Sequence, residues 1–266
     1  MPSSYDPLSE AAIRAALIDV PLVRQVVYLP VVGSTNNAAR DLAGQGAPHM
    51  TLVVTDEQPA GRGRLGRSWY MPPLAAIAMS IVVRPELAAA RAQRLTMLAG
   101  LAVAEGVEQA AGLAVVLKWP NDVVAPGQLR KLGGILTETA MVGERIDYAA
   151  VGIGLNVNAD FAGRPDLSGT ATSLRLLLGR EIDRLSVLAA IVERFMARFD
   201  ELSAGDALRA AWAARLATLH RRVEARVGDA VWIGVAEAVD DDGALWLRSD
   251  DGARHRLLAA DVNPLE

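Results

Sequence analysis

The chain has 266 residues, 52% of them hydrophobic, with 27 Lys and Arg against 31 Asp and Glu and a net charge of −4. That length suits one large domain plus a small one, and the mild acidity argues against bulk nucleic-acid binding while leaving room for a local basic patch. The absence of cysteine excludes disulfides, thiol nucleophiles and zinc–thiolate sites, and His49, His220 and His255 lie too far apart in sequence for metal-ligand spacing.

In chain order, the N-terminus has no basic segment followed by an apolar run, and no apolar stretch is long enough to span a bilayer. A cytoplasmic protein off the membrane is expected. Residues 8–19 predict a short helix with Ser9 as N-cap. Residues 24–32 predict a strand. Gly33-Ser34-Thr35-Asn36-Asn37 then caps a helix that ends at Gly46. Residues 50–58 and 75–83 predict strands, and apolar spacing predicts a long helix over 91–111. Residues 113–122 predict a strand ending in a Pro-Asn-Asp turn. Residues 130–142 and 145–158 predict an antiparallel pair, and 184–219 predict two helices. From residue 221 the pattern changes to short alternating runs broken at Asp242-Gly243 and Asp251-Gly252, both hairpin signals. The expected organisation is a domain over 1–220 and a small SH3-like β-barrel over 221–266.

The densest local signal is Gly61-Arg62-Gly63-Arg64-Leu65-Gly66-Arg67-Ser68-Trp69. Glycines allow close backbone approach to a ligand, successive N–H groups can form an anion nest, and guanidinium groups suit carboxylate and phosphate. The embedded G-x-G-x-x-G does not predict a dinucleotide fold. Pro72 and Pro73 follow where the phosphate-binding helix would have to start. Four other segments put polar groups at strand ends: Ser34-Thr35-Asn36, Lys118-Trp119-Pro120-Asn121-Asp122, Lys131-Leu132-Gly133-Gly134 and Gly152-Ile153-Gly154-Leu155-Asn156. Each also has a plain reading. Ser34 can be a helix cap, Asn121-Asp122 a turn, and Lys131 an edge-strand lysine. Gly152 and Gly154 can mark a bulge, and Trp69 can be a core residue. Gly133-Gly134 reads better as backbone packed against a ligand.

Together and in this order, the Gly/Arg loop with Trp69, the Lys118–Asp122 motif and the Lys131–Leu136 motif resemble the biotin protein ligases. Ser34-Thr35-Asn36, Gln58 and the Gly152–Asn156 segment match further motifs of that family. The resemblance runs from about residue 25 to 265 and includes the C-terminal β module. It implies an α+β fold: a mixed sheet flanked by helices, similar to class II aminoacyl-tRNA synthetases, with a small C-terminal SH3-like barrel.

The implied activity has two half-reactions. Biotin and MgATP give biotinyl-5′-AMP, and the biotinyl group then passes to a lysine of the biotin carboxyl carrier domain of an acyl-CoA carboxylase. By the same resemblance, Lys131, Arg64 and Asp122 are the catalytic candidates, with Asp122 near Mg²⁺ or the incoming lysine. Ser34, Thr35, Asn36, Gln58, Gly61, Arg62, Gly63, Arg64, Lys131 and Gly134 surround biotin. Arg64, Arg67, Trp69, Asn121, Lys131, Gly152 and Asn156 face the adenylate. Many bacterial members carry an N-terminal winged helix-turn-helix. Too few residues precede the first predicted strand for one here, so no repressor function and no nucleic-acid partner are expected, and the state expected is a monomer or weak homodimer. The rivals are a lipoate ligase or octanoyl transferase, a NAD-dependent dehydrogenase resting on the glycine pattern, and a DNA-binding regulator using His220, Arg221, Arg222 and Arg226.

Overall fold

The computed structural model describes residues 7–20 and 22–265. The first helix, α1 (Glu10–Ala16), starts where Ser9 Oγ accepts a 3.1 Å hydrogen bond from the Ala12 amide. Strand β1 (Gln25–Val31) is followed by helix α2 (Thr35–Gly44) and strand β2 (Thr51–Glu57). The helical crossover makes β1 and β2 parallel. All eight residues of β3 (Ala76–Val83) are buried, which is why that segment reads as an apolar run rather than an alternating one. Helix α3 (Gln93–Ala111) ends at Gly112, whose φ of 70° supplies the left-handed cap.

The 113–122 segment is not one strand. It splits into β4 (Val116–Lys118) and β5 (Asp122–Val124), paired antiparallel so that Trp119-Pro120-Asn121 is the hairpin turn. Strands β6 (Lys131–Val142) and β7 (Arg145–Asn156) form the expected antiparallel pair. Two short helices outside the expected elements follow, α4 (Pro165–Ser168), which opens on a proline, and α5 (Leu174–Leu178), which runs from a Ser173 N-cap to Gly179 at φ 68°. The 184–219 region holds three helices rather than two: α6 (Arg184–Ala197), α7 (Glu201–Ala204) and α8 (Asp206–Arg215). The C-terminal strands are β8 (Arg222–Val227), β9 (Ala230–Val239), β10 (Leu245–Ser249), β11 (Arg254–Leu257) and β12 (Asp261–Pro264). Asp242-Gly243 and Asp251-Gly252 sit in the two expected hairpin turns.

The seven-stranded sheet has the order β1-β2-β3-β7-β6-β5-β4, and β1–β2 is its one parallel pair. Helices α3 and α6 cover one face, burying Ile81, Val83, Val151 and Ile153. Helix α2 covers part of the other, packing Ala39 and Ala43 on Val53, Val82 and Ala150. The rest of that second face, over Gly134, Leu136, Gly152 and Gly154, lines a cavity.

A second, antiparallel sheet runs β11-β10-β9-β8-β12. Its Val223, Ala225, Ala236 and Leu247 join the same hydrophobic cluster as α3. Trp119 in the β4–β5 turn donates its indole N–H to the Gly243 carbonyl at 2.9 Å, fastening the two sheets together beside the cavity. No helix among the described residues is long and apolar enough to cross a membrane.

Candidate active site

The cavity holds about 450 Å³, within the range of small-molecule sites. The strand pleat explains its floor. Gly134 and Leu136 on β6 pair with Gly154 and Gly152 on β7, and alternation puts all four on one face. Leu136 lies five residues beyond Lys131, about 16 Å along the strand. The site therefore has two ends.

At the Leu136 end the side chains of Thr35, Asn36, Gln58 and Ser80 are neutral and mutually satisfied, with the paired Glu138 carboxylate at the margin. Gln58 Oε1 accepts from the Thr35 amide at 2.7 Å and from its hydroxyl at 3.1 Å. Ser80 Oγ lies 2.7 Å from Asn36 Oδ1 and 2.9 Å from Thr35 Oγ1. Asn36 Nδ2 donates to the Leu136 carbonyl and to Glu138 Oε2, both at 2.9 Å. Ser34 sits at the N-cap position of α2, yet its side chain makes no capping bond. The start of α2 is instead closed by Gln58, so the capping role predicted for Ser34 does not hold and its side chain lines the cavity.

At the Lys131 end the groups are charged. Lys131 Nζ is 2.6 Å from Asp122 Oδ1 and 5.7 Å from the centre of the Trp69 ring. Lys131 opens an interior strand, between β5 and β7, so the edge-strand reading fails. Arg64 donates to Asn121 Oδ1 at 3.1 Å, and Asn121 in turn donates to the Ile135 carbonyl at 2.9 Å. Lys118 Nζ donates to Asn263 Oδ1 of β12 at 3.1 Å, and Arg67 pairs with Asp261 of the same strand. Burial pushes the Lys118 ammonium below the ordinary lysine range, with Lys131 and Arg67 adding to the effect and Asp122 and Asp261 opposing it. Burial also lowers Arg64, opposed by the same two carboxylates. Seven cationic side chains (Arg62, Arg64, Arg67, Lys118, Lys131, Arg164 and Arg226) line the cavity against Asp122, Asp166 and Asp261. A protein of net charge −4 thus concentrates positive charge at one place.

The glycines of β7 serve this geometry in a way the sequence does not show. They mark no bulge, because β7 pairs with β3 in unbroken register. A Cβ on Gly152 would lie 2.2 Å from Asn36 Oδ1, and one on Gly154 would lie 2.8 Å from Trp69 Cε2. Both glycines make room for site side chains. Gly133 is similar: its Cβ would strike the Gly154 carbonyl at 2.7 Å, so neighbouring-strand packing explains it, whereas Gly134 faces the cavity. Trp69 is half-buried, and its indole N–H has no partner within the protein. Asn156 donates to the Thr172 carbonyl at 3.0 Å and leaves Oδ1 buried and unpartnered. Both residues line the cavity, so each offers a ligand one unsatisfied polar atom.

Of the residues predicted from sequence, all but Gly61 line this cavity. Gly61 lies beneath the loop, where a Cβ would meet the Trp69 carbonyl at 2.7 Å. Sequence reasoning missed Ser80, Glu138, Asp261 and Asn263, because each sits in an ordinary strand with no local motif around it.

Residues 28–156 match the model of the Biotin/lipoate A/B protein ligase family, and residues 218–263 match the Biotin protein ligase C terminal domain. The chain is 36% identical over 258 residues to the bifunctional ligase/repressor BirA of Bacillus spizizenii, covering 96% of this chain and 78% of that one. The chain belongs to the biotin protein ligase family. It is also 38% identical over 240 residues to the biotin–[acetyl-CoA-carboxylase] ligase of Paracoccus denitrificans, covering 86% of this chain and 96% of that protein. Among solved structures, the biotin protein ligase of Aquifex aeolicus in complex with biotin and ATP matches with a TM-score of 0.75 at 25% identity, over 91% of this chain and all of that one. Members of the biotin protein ligase family are enzymes, and the match at residues 218–263 is to a domain described for biotin protein ligases. The dehydrogenase reading fails on structure as well. One 3-10 turn at Arg64–Gly66, and no α-helix, follows the first glycines.

Magnesium is a separate question. Among the described residues no three His, Cys, Asp or Glu side chains converge. The three carboxylates of the cavity each face a cation: Asp122 faces Lys131, Asp166 faces Arg164 and Asp261 faces Arg67. The described residues form no all-protein cage for a divalent ion, so a magnesium ion here would be held by the phosphates of ATP, with Asp122 as the one carboxylate of the site expected from sequence to stand near it.

Proposed function

We propose that this cavity joins biotin to ATP as biotinyl-5′-AMP, releases pyrophosphate, and passes the biotinyl group to a lysine of the carrier domain of an acyl-CoA carboxylase. The observation that carries the reading is the division of one cavity into a neutral, hydrogen-bonded end and a strongly cationic end. Biotin's uncharged ring system suits the first. Its carboxylate and the phosphates of ATP suit the second.

The chemistry brings two anions together. The carboxylate oxygen forms a bond to the α-phosphorus while the bond to pyrophosphate breaks. Lys131 and Arg64 offset the repulsion and stabilise charge on the phosphoryl oxygens as it develops. In the second step the carrier lysine attacks the acyl carbon as a neutral amine, and AMP leaves. Asp122 orients Lys131, and we assign it the role of taking the amine's proton. Trp69 offers a flat face to the adenylate, and the free Oδ1 of Asn156 can accept from an exocyclic amino group of adenine. The loop from Gly61 to Trp69 shields the mixed anhydride from water. Magnesium enters as part of MgATP, the substrate. The boundary we place at residue 220/221 separates the catalytic unit from a C-terminal sheet whose β12 walls the charged end. The cytoplasm is the proposed compartment, because the reaction consumes ATP.

Biotin-dependent exchange of labelled pyrophosphate into ATP tests the reading, with lipoate in parallel. Exchange with biotin alone supports it. Exchange with lipoate alone moves the chain to the lipoate enzymes, and no exchange from folded protein ends the proposal.

A further inference from the structure

The segment from Gly61 to Trp69 is bonded to itself. The Gly63 amide donates to the Arg67 carbonyl at 2.7 Å, and the Trp69 amide to the Gly61 carbonyl at 2.9 Å. Within it Leu65 is exposed and has a φ of 55°, a conformation that costs a leucine energy and persists only where its surroundings impose it. Besides the packing of Trp69, the loop's three arginines each make a polar contact to the rest of the protein: Arg62 to Glu138, Arg64 to Asn121, and Arg67 to Asp261.

Glu138 differs from the other two anchors. It stands on β6 on the same face as Gly134 and Leu136, where the cavity floor ends. Its side chain is 21% exposed, and its carboxylate receives three donors: Arg62 Nη2 at 2.6 Å, Asn36 Nδ2 at 2.9 Å and Arg40 Nη1 at 3.2 Å. One oxygen serves both Arg62 and Asn36. The carboxylate therefore couples the start of the Gly/Arg loop to the neutral end of the cavity. Charge-assisted contacts of this length are about twice as strong as neutral ones.

We propose that Glu138 is a positioning residue that latches the Gly/Arg loop over the cavity through Arg62, and that Arg62 works as the latch rather than as a donor to substrate anions. The kinetic consequence rests on the ligase reading, while the structural one does not. The loop carries three tryptic sites, so its opening is readable without any ligand. In the full-length protein, Glu138→Gln should raise the rate of tryptic cleavage within 61–69 about tenfold, the scale of one lost charge-assisted contact, with an unchanged melting temperature. Arg62→Gln itself removes one of the three sites, so the comparison is read after Arg64 and Arg67, where it should raise cleavage as much as Glu138→Gln does, and the double variant should be no faster there than the faster single one. Arg40→Gln removes a donor to Glu138 that lies off the loop and should leave cleavage at the wild-type rate. If Glu138→Gln does not fold, Arg62→Gln carries the test alone, since it changes only the loop.

Wild-type cleavage rates in Glu138→Gln and Arg62→Gln, or effects that multiply in the double variant, overturn the latch. In pyrophosphate exchange, Glu138→Gln should raise KM for biotin while kcat holds. A fall in kcat at constant KM overturns the positioning role. Wild-type protein without exchange but with a latch-dependent cleavage rate refutes the ligase reading and leaves the latch standing.

Discussion

The two ends of the cavity solve opposite problems. At the neutral end, Thr35, Asn36, Gln58 and Ser80 satisfy one another before any ligand arrives, and Ser80 is fully buried. Such a network holds its shape and selects by shape and hydrogen bonding. At the cationic end, Lys118, Arg64 and Lys131 crowd together with fewer carboxylates than ammonium and guanidinium groups, and burial depresses Lys118 and Arg64. That end holds positive charge which only an anion can satisfy. The contrast teaches that one pocket can be rigid where it recognises and electrostatically unsatisfied where it reacts.

The sharpest way to break this comparison is to remove the charge nearest the floor. Lys131→Ala should lower biotin-dependent pyrophosphate exchange by ~10²–10³-fold, the usual cost of losing one group that stabilises developing charge. The fold should survive, because the side chain is exposed enough to be replaced by water. Near-normal exchange would remove Lys131 from the chemistry.

At the opposite end, Gly152→Ala forces a methyl group against Asn36, with which it would overlap. We expect a loss of about 1–3 kcal/mol in stability or an equivalent rise in KM for biotin. Unchanged melting and unchanged KM would show that the neutral end is softer than its hydrogen bonds suggest. Arg64→Ala should speed release of the adenylate about tenfold with a smaller effect on its formation, as trapping by rapid filtration would reveal.

Salt separates the ends without mutation. Raising ionic strength should weaken ATP binding several times more than biotin binding in the absence of nucleotide, because biotin brings one carboxylate to the cationic end and ATP brings several phosphate charges. Equal salt sensitivity for both ligands would contradict a neutral end.

The smallest effect concerns pH. Burial holds the Lys118 pKa in the folded protein below the ordinary lysine value of 10.5, so between the two values the unfolded chain binds more protons and stability should rise with pH. Lys118→Met should flatten that rise in alkaline unfolding curves.

Much of this molecule is legible in its residues. Gly112, Ser9 and the two Asp-Gly turns punctuate the chain where local sterics and capping demand it, because a cap or a hairpin turn involves neighbours in sequence. The motif loops announce themselves for the same reason: Gly61–Trp69 and Lys118–Asp122 each carry their chemistry within a few residues. Their convergence, and the family they resemble, could be expected from order and spacing. The split of 113–122 into a hairpin could not, since a three-residue strand is too short for a periodicity to declare itself.

What tertiary structure alone decided is the set of contacts made across the sheet and between the sheets. Gly152 and Gly154 look like flexible backbone in the sequence, and in the fold they are the room required by Asn36 and Trp69. Glu138 looks like any polar strand residue until β6 brings it to Arg62, 76 positions away. Asp261 and Asn263 become walls of the charged end only when β12 docks against the loop and the turn. Local stereochemistry is written in adjacent residues and can be read there. Close packing and charge pairing depend on which distant strands lie side by side, and that is settled only when the whole sheet has formed around one core.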